Sequence, residues 1–257
     1  MAHEIDRALF ILSKRLMYKT DILVLVAHPD DAELSCGGTI AAHVAKGHRV
    51  GIVDLTRGEL GTRGTAESRA KEAADAAKIL GVAFRENLGL PDGFFENTKE
   101  YQLEVVKAIR KHCPKLVIAN AVADRHPDHS RAAELVKTAC FLAGLPKVET
   151  ELDGEKQEAF RPENLYHILQ TDYIKPDFVF DITEYMDVKL EAVRAFKTQF
   201  HIPDYDSEEP QTLISSPEFM EFLKARAKEM GHSIRTGFGE GFTKSREIGV
   251  NDLFSLL

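Results

Sequence analysis

The chain has 257 residues, 44% of them hydrophobic and 29% charged, with a net charge of −8 and a pI near 5.7. That is enough apolar sequence for one sizeable core. The acidic balance argues against a nucleic-acid partner, which asks for a basic excess or patch.

Residues 1–16 read as an additional amphipathic helix or an upstream extension ahead of Met17. They lack a signal peptide's pattern, since Ser13-Lys14-Arg15 follow the short apolar run with no small-residue cleavage site. Residues 22–26, Ile-Leu-Val-Leu-Val, read as a buried strand. That strand runs into Ala27-His28-Pro29-Asp30-Asp31-Ala32-Glu33, and an apolar helix is expected over 37–46. A strand at 50–55 leads to a loop holding Gly58, Gly61 and Gly64, then to an Ala-rich helix over 67–80. A third strand at 82–88, a turn at 89–93, a helix over 99–112 and a fourth strand at 115–119 follow. The next loop carries Asp124-Arg125-His126-Pro127-Asp128-His129 and feeds a helix over 130–142. Residues 149–158 and 203–211 read as loops, 164–170 and 178–182 as strands, 185–200 and 217–230 as helices, and the Gly-rich 237–242 is ambiguous.

Four strand–helix alternations specify βαβ units and a mostly parallel, doubly wound α/β sheet. We expect one domain over 1–257, with a core over 17–145 and a smaller C-terminal α/β portion over 146–257. Right-handed crossovers put the loops after strands one, two and four on one sheet edge, where ligands bind in such sheets. Cys36, Cys113 and Cys140 form no CxxC pair and suit a reducing cytosol. No apolar run approaches a bilayer span. A cytoplasmic protein without a membrane partner is expected.

His28 and Asp31 stand three apart after a strand, and His129 ends the second histidine motif. Two imidazoles and a carboxylate leave positions open for water, the form of a catalytic zinc site. Taken alone, His28 and Asp31 are equally explained as helix caps; the second motif raises the metal reading. Asp30, pointing away from Asp31, is then free to act as general base. His126 can face a substrate carbonyl as a protonated group. Asp128 can fix the His126 tautomer or simply cap the following helix. Gly37-Gly38 lacks the G-x-G-x-x-G spacing of a dinucleotide loop. Arg69 and Arg125 can each grip an anionic substrate group, whereas Arg57 and Arg63 read equally well as solvated surface.

The motifs His28-Pro29-Asp30-Asp31 with Glu33, and His126-Pro127-Asp128-His129, resemble the paired signature of the PIG-L/LmbE-like zinc deacetylases, which remove acetyl groups from N-acetylglucosamine conjugates. The resemblance runs from about Asp21 to Phe242. It implies a Rossmann-like sheet and one zinc on His28, Asp31 and His129, with Fe²⁺ or Co²⁺ as possible substitutes. It further implies Asp30 as base, His126 with Asp128 stabilising the transition state, and a homo-oligomer, often a hexamer. Residues 54–60, 87–92 and 124–129 look most like the bacillithiol-pathway deacetylases, which convert N-acetylglucosaminyl malate to glucosaminyl malate. In that group Arg69 and Arg125 match substrate-binding positions suited to a malate carboxylate. A Tyr that relatives carry before the last long helix is matched here by Phe219, with Tyr205 as the nearest hydroxyl. Rival readings are a deacetylase of another N-acetyl sugar, such as chitobiose or an antibiotic precursor, and a non-catalytic metal or sugar-conjugate binder.

Overall fold

The computed structural model describes residues 18–201 and 209–255. The expected N-terminal helix and Tyr205 lie outside them. β5 (Glu151–Leu152) and β6 (Glu155–Lys156) form a hairpin of their own. Seven strands form one sheet: β1 (Ile22–Val26), β2 (Val50–Thr56), β3 (Phe84–Leu90), β4 (Leu116–Ala119), β7 (Asn164–Ile168), β8 (Phe178–Asp181) and β9 (Gly239–Lys244). Their order is β3-β2-β1-β4-β7-β9-β8. The pairs from β3 through β7 are parallel, and β9 runs antiparallel to both of its neighbours. The expected mostly parallel α/β sheet is present.

Among the described residues six α-helices accompany it: α1 (Asp31–Ala45), α2 (Ala66–Leu80), α3 (Lys99–His112), α4 (Pro127–Ala143), α5 (Met186–Arg194) and α6 (Pro217–Ser233). β1 is buried along its whole length, so its all-apolar run is what a strand covered on both faces requires. Val24, Ile40, Ile52 and Phe196 belong to the core on one face of the sheet. Leu23, Val53, Val106 and Leu135 belong to the core on the other.

Several boundaries differ from the sequence reading. α1 starts at Asp31, not Gly37, and is broken at Cys36, whose φ of −141° is non-helical. Past that break the Glu240 carboxylate accepts from the amides of Gly38 at 3.1 Å and Thr39 at 2.7 Å, and Lys189 Nζ sits 2.5 Å from it. α4 begins at Pro127, whose fixed φ suits the first helical position, with His126 as its N-cap. The expected 149–158 loop contains the β5–β6 hairpin. The 185–200 helix is shorter, ending at Arg194. The Gly-rich tail is β9. Its glycines permit close packing: a Cβ on Gly239 would meet Val179 Cγ1 at 2.5 Å and the Gly231 amide of α6 at 2.9 Å.

The chain leaves β1 toward β2 on one side, and β4 returns to the other side of β1. The β1/β4 carboxyl ends are therefore the switch point, where crossovers diverge and leave a crevice.

Candidate active site

The crevice holds a cavity of about 400 Å³. His28, Asp30 and Asp31 enter it from the end of β1, Arg125, His126 and His129 from the end of β4, and Asp92 from the end of β3. The two histidine motifs, far apart in sequence, thus share one pocket. The His28 ring lies 4.7 Å from that of His126 and 5.5 Å from that of His129, centroid to centroid.

Two rings are held alike. His28 Nε2 sits 3.1 Å from Asp92 Oδ1 and 3.3 Å from Asp128 Oδ2, while its Nδ1 is 3.5 Å from Asp31 Oδ2. His129 Nδ1 sits 2.8 Å from Asp124 Oδ1, while its Nε2 is 3.1 Å from Asp31 Oδ1. In each neutral imidazole the proton belongs on the nitrogen facing the outer carboxylate. The other nitrogen then turns a lone pair toward Asp31. Carboxylates backing histidines in this way orient metal ligands. Asp31 is fixed by Asn120 Nδ2 at 3.0 Å and Gln170 Nε2 at 2.9 Å.

The electrostatics favour a cation. Burial depresses the His28 imidazole, but Asp128, Asp31 and Asp92 outweigh it and raise its pKa well above the ordinary value. Burial likewise opposes, and Asp31 with Asp124 overcomes, in raising His129 to about 9. Asp31 is held well below the usual carboxylate range by His129 and His28 against its burial. Positive charge is thus stabilised around Asp31, between His28 and His129, and imidazole with carboxylate is donor chemistry that suits a divalent metal. Among the described residues, the donor groups mutually within 4.8 Å are His28, His126 and His129, and His28, Asp92 and Asp128; Asp31 belongs to neither. The latter group uses His28 Nε2, the nitrogen already committed to two carboxylates, so its acids serve better as supports than as ligands.

Asp30 faces the other way. Its backbone is left-handed, with φ 112°, and its carboxylate meets Arg69 Nη2 at 2.9 Å. Burial raises its pKa to about 7, against the pull of Arg69. His126 is half-buried, and desolvation, then His28 and His129, lower its pKa. Its Nδ1 accepts from the Asp128 amide at 3.3 Å, so the neutral ring carries its proton on Nε2. The Asp128 carboxylate bonds His28, the Gly93 amide at 2.8 Å and Arg131 at 2.9 Å rather than His126.

The arginines divide unexpectedly. Arg69 lines the cavity but is largely buried, and donates to Asp30, Pro29 O and Gly58 O. Arg63, for which the sequence allows a solvated surface position, is buried and donates to Thr198 O at 2.7 Å and Pro210 O at 3.1 Å. Arg125 lines the cavity and is solvent-exposed. Phe219 also lines it, stacked on Phe200 at 5.9 Å.

Sequence reasoning missed Asp92, Asn120, Asp124 and Gln170. Asp124 sits in a loop already placed on the right edge, which was the available signal; Asp92 follows the third strand, whose loop the sequence reading did not place there. Asn120 directly follows β4, donates to Asp31, and accepts from the Ala27 amide at 2.7 Å. Gln170 depends on the position of β7, which no local pattern reveals.

The family model for PIG-L, described as GlcNAc-PI de-N-acetylase, matches residues 23–140. Diacetylchitobiose deacetylase of Thermococcus kodakarensis is 31% identical over 215 residues, covering 76% of this chain and 79% of that protein. The probable N-acetyl-alpha-D-glucosaminyl L-malate deacetylase 2 of Bacillus anthracis is 30% identical over 195 residues, covering 70% and 81%. The crystal structure of a conserved protein from Thermus thermophilus, TT1542, superposes with a TM-score of 0.81 at 38% identity, covering 91% of this chain and 98% of that one. With the paired histidine motifs brought into one pocket and relatives matched over most of their length, the chain belongs to the PIG-L/LmbE-like deacetylase family.

Proposed function

We propose that this chain is a zinc-dependent N-deacetylase of N-acetylglucosamine conjugates. The observation that carries the reading is the arrangement of His28 and His129. Each is backed by a carboxylate on one nitrogen and turns the other to Asp31, beside Asp30 and His126 in one cavity. His28, Asp31 and His129 would hold the ion. Zinc there would supply Lewis acidity to the amide carbonyl and acidify water toward neutrality.

Asp30 takes the proton of the attacking water; a carboxylate raised to about 7 is matched to that task near neutral pH. His126, neutral and protonated on Nε2, donates to the oxyanion as the carbonyl becomes tetrahedral. Asp92, Asp124 and Asp128 fix the ring orientations.

The finer reading is hydrolysis of N-acetylglucosaminyl malate to glucosaminyl malate and acetate, as in bacillithiol biosynthesis. Its support is Arg125, an exposed guanidinium on the cavity wall, together with the Bacillus anthracis relative. Diacetylchitobiose is the rival substrate, on the strength of the Thermococcus relative. We take the enzyme to be cytoplasmic and homo-oligomeric. Among the described residues no helix is long and apolar enough to cross a membrane, and exposed Phe94 and Phe254 offer apolar surface for subunit contact.

The test is acetate release from both substrates at matched concentration after loading with Zn²⁺, with metal content measured in parallel. We expect stoichiometric zinc and faster turnover of the malate conjugate. Faster turnover of diacetylchitobiose would replace the substrate, and no release from either would end the deacetylase reading.

A further inference from the structure

We infer that Arg226 is a positioning residue for His129, acting through the peptides of residues 170–172 and the Asp124 carboxylate. The inference rests on the reading of His129 as a metal ligand.

Phe219, Phe222, Leu223 and Arg226 recur at three- and four-residue spacing along α6, which puts them on one helix face, and all four line the cavity. Arg226 is half-buried there. Its Nη1 donates to Gln170 O and, at 3.2 Å, to Thr171 O, and its Nη2 donates to Asp172 O at 3.2 Å. Three consecutive carbonyls converge on one guanidinium. A planar fork of donors suits that task better than the single ammonium of a lysine.

Two amides of the same segment face the other way. Thr171 N donates to Asp124 Oδ2 at 2.6 Å, and Asp172 N donates to the same oxygen at 3.0 Å. The C=O and N–H of a trans peptide point in opposite directions. The peptides joining 170 to 171 and 171 to 172 therefore stand between Arg226 and Asp124. Each meets the cation at its oxygen and the anion at its nitrogen, so the bonds at both ends are charge-assisted. Neither plane can rotate without losing both.

The Asp124 side chain is 0% exposed, and its Oδ1 lies 2.8 Å from His129 Nδ1. On the far side of the same ring, Gln170 Nε2 stands 3.2 Å from His129 Nε2 and 2.9 Å from Asp31 Oδ1. Residues 170–172 thus reach both nitrogens of His129, one through the Gln170 side chain and the other through Asp124. β7 ends at Ile168, so the sheet ladder stops short of this segment, and Arg226 ties it to α6.

The experiment measures Zn²⁺ affinity by chelator competition, without substrate, for wild type, Arg226→Met, Asp124→Asn and the double variant. Thermal unfolding of the metal-free proteins and KM of the zinc-loaded ones are measured alongside. We expect Arg226→Met to weaken zinc by roughly 10-fold, the low end for losing a ligand's outer support. In the Asp124→Asn background the same change should cost less than about twofold, because the two residues act on one ring. Wild-type zinc affinity in Arg226→Met would overturn the inference: a lowered Tm alone would make Arg226 a tie between α6 and β7, and a raised KM alone would make it a substrate residue. Full additivity in the double variant would overturn it too, since the path would not run through Asp124. If Arg226→Met does not fold, Arg226→Gln keeps a donor but cannot span three carbonyls and should also weaken zinc; unchanged affinity there overturns the inference. Should wild type bind no zinc, the ligand reading fails on its own. The crystal structure of Arg226→Met then decides: a displaced Asp124 carboxylate and His129 ring support the role of Arg226, and an unmoved pair overturns it.

Discussion

His129 Nδ1 stands 2.8 Å from Asp124 Oδ1, and the opposite nitrogen of the same ring stands 3.1 Å from Asp31 Oδ1. The carboxylate on one side therefore determines which lone pair the ring shows on the other. Asp124→Asn keeps the size of the side chain and removes its charge. It should weaken zinc binding by roughly 10–100-fold, the usual effect of losing a ligand's carboxylate support. Competition with a chromophoric chelator measures this; unchanged affinity would mean that Asp124 only shapes its loop, where it also accepts from the Thr171 and Asp172 amides.

The base and the ligands should separate cleanly. Asp30→Asn should lower kcat by roughly 10²–10⁴-fold, as loss of a general base does, with zinc content near wild type. His129→Ala should instead lose the metal. Metal analysis of the two purified variants checks both, and full zinc in His129→Ala would remove that residue from the ligand set.

Arg85 bridges two buried acids, with Nη1 2.5 Å from Glu33 Oε1 and Nε 2.7 Å from Asp54 Oδ2. Removing it strands both carboxylates. Arg85→Met should destabilise the fold by about 3–5 kcal/mol, the range for breaking a buried pair from one side. Replacing all three residues together, as Glu33→Gln, Asp54→Asn and Arg85→Met, should recover part of the loss. Urea unfolding of the single and triple variants decides; equal losses would mean that Arg85 acts through packing on Phe196, 5.6 Å from its Cζ.

Glu86 gives a pH signature away from the site. His112 Nε2 lies 3.4 Å from Glu86 Oε1, within ion-pair range but without a formed hydrogen bond. Lys111 Nζ lies 2.6 Å away. Together they hold the carboxyl at about 2 against its partial burial. Because the folded value lies below that of the unfolded chain, about 4.3, the pair stabilises the fold above that pH. The contribution is lost as pH falls toward about 2. Glu86→Gln should cost ~1 kcal/mol at pH 7 after solvent screening, with the gap to wild type narrowing between pH 5 and 3. A gap constant across that range would refute the assignment.

Much of the sheet could be read directly because β1 and β2 are buried along their whole length. Ile22–Val26 has no polar residue to confuse the pattern, and Gly47 and Gly81 punctuate the helices. The histidine pairs were legible because metal-type ligands at strand ends have few other uses. What escaped depends on distant neighbours. Gly239–Lys244 has little strand propensity of its own and becomes β9 through pairing with β7 and β8 and the close approach of α6. The direction of Arg69 could not be read from spacing either, since Pro29 and Asp30 reach it only after β1 and α2 have packed.

The bond from the Ala27 amide to Asn120 Oδ1 locks the ends of β1 and β4 together where the proposed ligands emerge. Neither loop alone presents the full set, and in the unfolded chain they are separated by the whole β2–β3 segment. Metal affinity is then a property of strand pairing: whatever free energy the ion gains on binding is returned as resistance of β1 and β4 to separation. In a metal-poor cell, the earliest consequence would be a shorter-lived fold, with part of the lost turnover arising from unfolded protein.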